Sequence, residues 1–505
     1  MYKFIITIAL TASPAFAQQG GEITGESPLT AGTAGASIGS GQSILDSSSN
    51  PSTLIHVFER NGSGRFYQRY EGMLRAVDYN TSITTSLGEE LAIDSPMGVG
   101  PWLGYAERIP KGREFMDMVW GINIQPTVAG DFSTSRNTYL NLVREDPEDE
   151  TTPYQQSRVN ISSKLLQLAL EPNISVRVND SWSFGVGASI RNTDMLMSSA
   201  TEVGFDKLQG DFVLGGGTWG DFFQGAGADN FQATFDADAS SSTPTVFFKL
   251  GATYSTQHGS NIGFWLRPPS TSSDIEGRVD VDMRGDLGTF IAVLGGEPFN
   301  IDIGLENELV SGYDFSIADV RFPAQVGISY SSPYSDTTRW HSKAVFTQWS
   351  KSMTGWTAHL SNPDNFEFTD FIGGDGSIDI DMGIQWNDTL SVSAGFEHDM
   401  SFNITHEGHG YKKVNDYTLR GGLGWSSNPV AGAAMPGLTP FNKWQVALGM
   451  SRWSHDSEPL DMHMAVVVTL PDTWTAGENE LLSDLSYDEY SQAAYSFMLG
   501  CSYSF

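Results

Sequence analysis

The chain ends in the stretch Tyr495-Ser496-Phe497-Met498-Leu499-Gly500-Cys501-Ser502-Tyr503-Ser504-Phe505. Side chains alternate between the two faces of a β-strand. One face of this stretch is therefore aromatic and aliphatic, while the other consists mostly of serine and glycine. A strand that is apolar on one face, small and polar on the other, and ends on an aromatic residue is typical of a transmembrane β-barrel.

The same alternation recurs along the chain. It is clearest over residues 182–191, where Trp182, Phe184 and Val186 are separated by serine and glycine. It returns at 417–425 and 444–451, and twice more at 378–386 and 390–397, which we expect to pair as a tight hairpin across Asn387-Asp388. Carboxylates and arginine occupy the less apolar face, which suits a polar lumen. We therefore predict an all-β fold, a transmembrane antiparallel barrel of about 14 strands, with 16 possible.

The N-terminal region divides into two segments. Residues 1–17 have a basic residue, a short apolar run and an Ala-x-Ala site, and are predicted to be a signal peptide. Residues 18–60 are rich in glycine, serine, threonine and alanine up to Asn50-Pro51-Ser52. Residues 61–505 are assigned to the barrel. A signal peptide and a barrel together predict the outer membrane of a Gram-negative bacterium.

The composition excludes some functions. The formal net charge is −32, which disfavours nucleic acid as a partner. The chain has one cysteine, Cys501, so it has no internal disulfide. No convincing catalytic set is present, and we expect no enzyme activity, no cofactor and no metal site. The pair His406 and His409 is too closely spaced for a helical zinc motif. Acidic runs at 146–150 and 236–238 are solvated loop charge or weak calcium ligands.

Two segments, 198–242 and 284–321, are predicted to be long external loops. The first holds a group of large apolar side chains among glycines. On an external loop these would form either a docking groove for a hydrophobic ligand or a cluster packed against the barrel rim. The candidate docking residues are Leu208, Phe212, Leu214, Trp219, Phe222 and Phe223.

A proline interrupts the apolar face of the strand predicted at residues 115–129. Pro126 has no N–H to give to a sheet, so it marks either a break in the barrel wall or the end of the strand. With the glycines on either side, it defines a candidate opening. The residues assigned to it are Gly121, Pro126 and Gly130.

Several motifs occur in an order that resembles the FadL/TodX family of outer-membrane transporters for long-chain fatty acids and other hydrophobic compounds. Asn50-Pro51-Ser52-Thr53-Leu54 is similar to the family's plug motif, with Ser52 in place of alanine. Residues 284–321 and 399–414 fit the family pattern poorly. The other motifs are Asp180-Ser181-Trp182-Ser183-Phe184-Gly185-Val186-Gly187, Phe322-Pro323-Ala324 and Phe346-Thr347-Gln348-Trp349-Ser350.

The resemblance implies a 14-stranded barrel with residues 18–60 as a plug in its lumen. It implies passive uptake of hydrophobic molecules, fatty acids or aromatic hydrocarbons, which dock outside, enter a pocket beside the plug and leave sideways through a kinked third strand. Partners would be these molecules together with outer-membrane lipid and lipopolysaccharide, and the protein would be a monomer. A general diffusion porin or a structural barrel is the alternative.

Overall fold

The structure is a computed structural model of the chain. It describes residues 18–19, 22–23, 25–59, 67–84, 90–92, 98–109, 117–144, 154–205, 208–212, 216–225, 230–288, 309–352, 354–365, 369, 372–381, 385–405, 412–429, 444–453, 460–475 and 489–505. The predicted signal peptide, the pair His406 and His409, and the acidic run 146–150 lie outside these residues. Within them, no helix is both long and apolar enough to cross a membrane.

The described residues form 22 strands and a few short helices. The helices are α-helical at Pro28–Ala31 and Trp219–Gly225, π-helical at Arg284–Gly288, and 3₁₀ at Ala36–Ser40, Leu45–Ser48, Pro51–Phe58 and Trp349–Lys351. The strands are β1 (Gln18–Gln19), β2 (Glu22–Ile23), β3 (Gln68–Thr84), β4 (Glu90–Ala92), β5 (Gly98–Ile109), β6 (Asp117–Arg144), β7 (Tyr154–Arg177), β8 (Trp182–Gly204), β9 (Asn230–Ser241), β10 (Thr245–Ser255), β11 (Asn261–Arg267), β12 (Ser273–Asp282), β13 (Val310–Val320), β14 (Gln325–Pro333), β15 (Thr338–Thr347), β16 (Thr357–Ser361), β17 (Ile378–Asp381), β18 (Thr389–Thr405), β19 (Lys412–Ser426), β20 (Trp444–Trp453), β21 (Leu460–Thr475) and β22 (Glu489–Ser504).

Fourteen of these strands close into an antiparallel barrel, as the alternation predicts. The ring runs β3-β5-β6-β7-β8-β10-β11-β14-β15-β18-β19-β20-β21-β22 and returns to β3. The closing pair β22–β3 is continuous from Glu489↔Thr84 to Ser504↔Arg69. An even number of strands places the first and last strand ends on the same side of the membrane. Closure also removes the free sheet edges that a membrane would not tolerate.

The barrel wall is apolar outside and polar inside. On β22, Phe497 and Leu499 face outward and are nearly half exposed, whereas Ser496 and Ser502 face the lumen and are buried. On β21, Asp461 and His463 are likewise buried between outward-facing methionines. This is the reverse of a soluble core and fits a lipid-facing surface. Cys501 lies on the outward face as a free, exposed thiol.

Residues 25–59 fill the lumen, and almost all of them are buried. Ser27 caps the first helix: its hydroxyl accepts from the Thr30 amide, and the Thr30 hydroxyl accepts from the Ser27 amide. Both hydroxyls also donate to Asp46 Oδ1 at 2.9 Å, which ties the start of the segment to its middle. We call residues 25–59 the plug.

Five strands outside the ring extend the sheet above the barrel from the upper half of β8, and this corrects part of the loop prediction. β9 pairs with the upper half of β8 and then with β12, followed by β13, β16 and β17. Residues 198–204 and 230–241 of the first predicted loop, and 310–320 of the second, are therefore strands. The alternation of Phe231, Phe235 and Ala237 with polar residues is present in the sequence and buries one face of this sheet, which we call the cap.

The tight hairpin predicted at 378–397 is wrong. β17 pairs with β16 in the cap, whereas β18 pairs with β15 and β19 in the barrel. Apolar and polar side chains alternate in both runs, as in a β-strand, but this alternation does not specify the partner strand. Asn387 and Asp388 therefore lie on the connection from the cap to the barrel and do not close a hairpin turn.

Candidate functional site

Lumen-facing glycines of the wall form the surface on which the plug rests. A Cβ added to Gly185 would lie 2.3 Å from the carbonyl carbon of Pro51, and one added to Gly251 would lie 2.1 Å from Asn50 Oδ1. At Gly422, a Cβ would come within 2.2 Å of the Thr33 backbone. Real Cβ atoms do not approach so closely, so the absence of side chains at these positions lets the plug backbone contact the wall.

The predicted plug motif lies on this glycine surface. Asn50 begins the helix Pro51–Phe58, and its side-chain oxygen accepts from the Ser52 amide at 3.1 Å. The Ser52 hydroxyl lies 2.7 Å from the Thr253 hydroxyl on β10. Serine at this position therefore adds a hydrogen bond to the wall that alanine could not make.

Polar side chains of the wall also hold the plug. The Glu71 carboxylate on β3 accepts from Ser43 Oγ at 2.5 Å and from the Ile44 amide at 2.8 Å. On the opposite side, Lys249 Nζ donates to the Ser48 carbonyl at 2.9 Å. These bonds satisfy plug backbone groups that the barrel shields from water, and they fix the plug in one orientation.

Burial changes the pKa values of the ionisable groups within the plug. Desolvation raises the pKa of Glu26 to about 8, although its hydrogen bond from Ser49 opposes the shift. Desolvation also raises the pKa of Asp46 well above its usual range. At the other end of the plug, burial and the nearby Arg177 lower the pKa of His56 to about 4. The plug therefore favours neutral forms of its buried groups.

The wall is interrupted beside the plug, between β5 and β6. Their ladder runs from Ile109↔Met118 to Leu103↔Ile124 and ends there, although both strands continue through described residues. If the register continued, Pro101 would face Pro126. Neither proline has an N–H to donate, so the ladder could not form normally at that step.

Pro126 does not end its strand. β6 continues to Arg144 and stays paired with β7, with a register shift between Pro126 and Val128. Such a bulge bends a strand locally. Of the other two predicted opening residues, Gly121 packs against Leu54 of the plug, where an added Cβ would lie 3.2 Å from Leu54 Cδ2. Gly130 pairs with Leu165 on β7 above the bulge.

A cavity lies between the plug and the wall and reaches this interruption. Trp102 lines it from the β5 side, while Gln125 and Thr127 line it from the β6 side. Glu26, Ser48 and Ser49 contribute the plug surface. The cavity is therefore bounded by the plug and by both strands of the interrupted ladder.

Basic side chains outnumber acidic ones in the cavity lining. Arg191, Arg267 and Lys343 line it together with Glu26 and Glu171. Arg191 and Arg267 also lie over the Phe247 ring, with their guanidinium carbons 4.3 and 5.1 Å from its centre. Although the whole chain is strongly acidic, this cavity suits a molecule that has an anionic end.

The structure buries most of the candidate docking residues in the cap. Leu208, Trp219 and Phe223 lie in its apolar core, with Phe212 and Phe222 partly buried against it. Their rings stack on one another, as in the pair Phe212–Phe222 with centroids 4.2 Å apart. Leu214 lies outside the described residues. The cluster is thus packed over the barrel, and its role in docking stays a prediction.

Sequence reasoning missed Pro101, Trp102 and the basic lining of the cavity. Pro101 and Trp102 are visible in the sequence, but only the pairing of β5 with β6 places them at the interruption. The described residues include no group of three or more His, Cys, Asp or Glu side chains placed to hold a metal. Asp236 and Asp238 lie on the outer face of the cap, opposite Asp280 and Arg278.

No protein-family model matches the chain, and no curated protein matches it. Solved structures do. The Pseudomonas putida toluene transporter TodX is similar over 97% of this chain and 100% of its own, with a TM-score of 0.64 at 15% identity. The chain shares the fold of TodX. The similarity spans the plug as well as the barrel, because it covers nearly the whole of both chains.

Two further structures agree. A Pseudomonas aeruginosa FadL homologue matches with a TM-score of 0.61 at 14% identity, over 95% of this chain and 98% of its own. The Ralstonia pickettii toluene transporter TbuX matches with a TM-score of 0.59 at 14% identity, over 95% of this chain and 99% of its own. This TodX-like fold is the one that the family resemblance in the sequence implies.

Proposed function

We propose that this protein is a passive channel of the Gram-negative outer membrane that takes up hydrophobic molecules and releases them sideways into the bilayer. One observation carries the proposal: the cavity beside the plug reaches the place where the β5–β6 ladder stops. Trp102 lines it on one side of the interruption and Gln125 on the other. Two of the similar structures are toluene transporters, which supports a hydrophobic cargo.

Lateral release suits such a cargo physically. A hydrophobic molecule in the lumen would have to expose its apolar surface to water in order to reach the periplasm. An opening in the wall lets it pass into lipid instead. The outward residues beside the interruption, Leu103 and Ile124, are about 40% exposed and apolar, so the exit leads onto a lipid-like surface.

Within this class, we propose a long-chain fatty acid in preference to a neutral hydrocarbon. Arg267 and Lys343 line the cavity from β11 and β15 and could hold a carboxylate end there. The remaining length of chain would lie toward Trp102 and the interruption. A neutral hydrocarbon has no carboxylate to pair with these two cations.

The function is tested by uptake into cells that lack the gene, with and without the gene restored on a plasmid. Labelled palmitate and labelled toluene are the two probes. The proposal expects restored uptake of palmitate, and a smaller effect on toluene. If restoration changes the uptake of neither probe, the proposal is wrong.

A general diffusion porin is the alternative. The plug occupies the lumen and is held by the wall, which favours a closed pore. Single-channel recording in a planar bilayer separates the two functions. A large steady conductance from the native protein would support a porin.

A further inference from the structure

The side chain of Trp102 lies at the inner edge of the interruption. It is the first β5 residue beyond the last β5–β6 pair, Leu103↔Ile124, and it remains paired with Met73 of β3 on its other side. Its neighbour Leu103 faces lipid, whereas Trp102 faces the lumen and has no exposed surface. A molecule moving from the cavity to lipid would pass this indole.

The indole is packed into an apolar group that joins the plug to the wall. The group contains Leu45 of the plug, Met73 of β3 and Met498 of β22. Trp102 therefore packs between the plug and β3. The remaining side of its indole lines the cavity. Trp102 therefore bounds the passage on the β5 side.

The opposite edge is held in place by hydrogen bonds. Gln125 Nε2 donates to Glu171 Oε2 at 3.2 Å, and Thr127 Oγ1 donates to Gln167 Oε1 at 2.7 Å. Both partners belong to β7, which stays paired with β6 through this region. The β6 edge is thus fixed to the next strand, and the bulkiest side chain lining the passage at this point is Trp102.

We propose that Trp102 is the specificity-determining residue of the lateral exit and sets the width of molecule that can leave through it. This inference rests on the proposed function. Its substrate class is the unbranched single-chain amphiphile, because a wide ring system would have to displace the indole. The residue acts by size exclusion and takes part in no chemical step.

The test compares two tryptophans that line the same cavity. Trp265 on β11 is equally buried, but it packs against Ile38 and Val345, far along the ring from the interruption. Trp102→Ala and Trp265→Ala remove the same side chain from the same cavity, and only the first lies at the exit. The probes are palmitate and a fatty acid that carries a terminal pyrene, with equilibrium binding to purified protein and uptake by whole cells both measured.

Trp102→Ala should raise the ratio of pyrene-labelled to unlabelled uptake about tenfold, a size discrimination typical of a pocket that gains space. Trp265→Ala should leave this ratio within about twofold, even if binding changes. Equal ratios in the two variants, or no change in Trp102→Ala, would overturn the inference. If Trp102→Ala does not fold, Trp102→Leu gives the same comparison with a smaller expected change.

Failure of the proposed function gives a different result. In that case the native protein restores uptake of neither probe, and the ratio of pyrene-labelled to unlabelled uptake cannot be measured. If uptake is restored and the ratio does not respond to Trp102, the channel function stands and the exit is controlled elsewhere.

Discussion

Two seams of the barrel differ in their strand pairing, and the difference supports the proposed lateral exit. The closing seam between β22 and β3 is paired at every step from Glu489↔Thr84 to Ser504↔Arg69. The seam between β5 and β6 stops at Leu103↔Ile124, although both strands extend further. The first has no proline in its paired stretch, whereas the second would bring Pro101 opposite Pro126. The ring closes although β5 and β6 are not paired beyond Leu103↔Ile124, and this unpaired part is where we propose that the cargo leaves.

The largest effect is expected from removing both prolines of the interrupted seam. Pro101→Val/Pro126→Val returns two backbone donors, and each net hydrogen bond contributes about 1 kcal/mol. Two would shift the balance toward a closed wall by about 2 kcal/mol, or about 30-fold. Palmitate uptake should fall by about 30-fold in the double variant and by about fivefold in each single variant.

The control is Pro172→Val. Pro172 lies on β7, where it pairs with Ile122 and the register continues on both sides. It should leave uptake unchanged. Hydrogen exchange at the Trp102 and Gln125 amides should slow in the double variant alone. Normal uptake by the double variant would show that the prolines do not hold the seam open.

The second prediction concerns the glycine surface that holds the plug, in contrast to the interrupted seam. Gly185→Ala places a methyl group into the Pro51 backbone, and such overpacking costs about 1–3 kcal/mol. The plug should loosen, with a lower thermal unfolding temperature and a higher ion conductance in a planar bilayer.

Gly72→Ala is its matched control, because a Cβ there meets only Leu103 Cδ2 at an ordinary 3.7 Å. It should change neither the unfolding temperature nor the conductance. An equal response of the two variants would mean that the glycine surface does not hold the plug.

The third prediction concerns the end of the cavity away from the exit. Lys343→Met removes a cation from the lining, and a hydrogen bond to a charged group contributes about 1.5–3 kcal/mol. Palmitate should bind about tenfold more weakly, while toluene binding stays the same. Lys351→Met removes an exposed cation outside the cavity and should alter neither. Equal losses for the two ligands would argue against a carboxylate site.

The last prediction concerns pH. The pKa of Glu26 is raised by burial from 4.5 to about 8, so the docked plug binds more protons than the released plug between these values. Binding of the plug in the lumen is then strongest at pH below 4.5 and weakens as pH rises toward 8. Glu26→Gln should reduce this loss and leave the part that Asp46 contributes, because burial raises the pKa of Asp46 as well. The loss is measured as hydrogen-exchange protection of the plug at pH 6 and pH 8.

Glu59→Gln, at the exposed end of the plug, should keep the native pH dependence. If Glu26→Gln also kept it, another group would control docking.

The sequence predicts the barrel well and the site less completely. The alternation in 182–191 and 495–505 predicts barrel strands, and glycines such as Gly185 and Gly422 mark the lumen face. Pro126 is conspicuous because it interrupts one regular pattern. Pro101 is not conspicuous, because it stands in a less regular stretch and matters only when β5 pairs with β6. The hairpin at 378–397 fails for the same reason.

The charge of the cavity shows the same limit. The net charge of −32 gives no sign of a basic site, but Arg191, Arg267 and Lys343 come from three strands distant in sequence and meet at one place. Likewise, the sequence at 208–223 leaves open a docking groove or a cluster packed against the barrel rim, and only the structure shows that most of these side chains are buried in the cap.

The sequence by itself determined the architecture: which side of each strand faces lipid, the number of strands within narrow limits, and an N-terminal segment small enough to fill the lumen. These features follow from the two-residue period of the pleat, which is a local property of the chain. Only the tertiary structure decided which strands are partners and in what register. That pairing sets Pro101 opposite Pro126 and places Trp102 beside the gap, because register depends on closure of the whole ring.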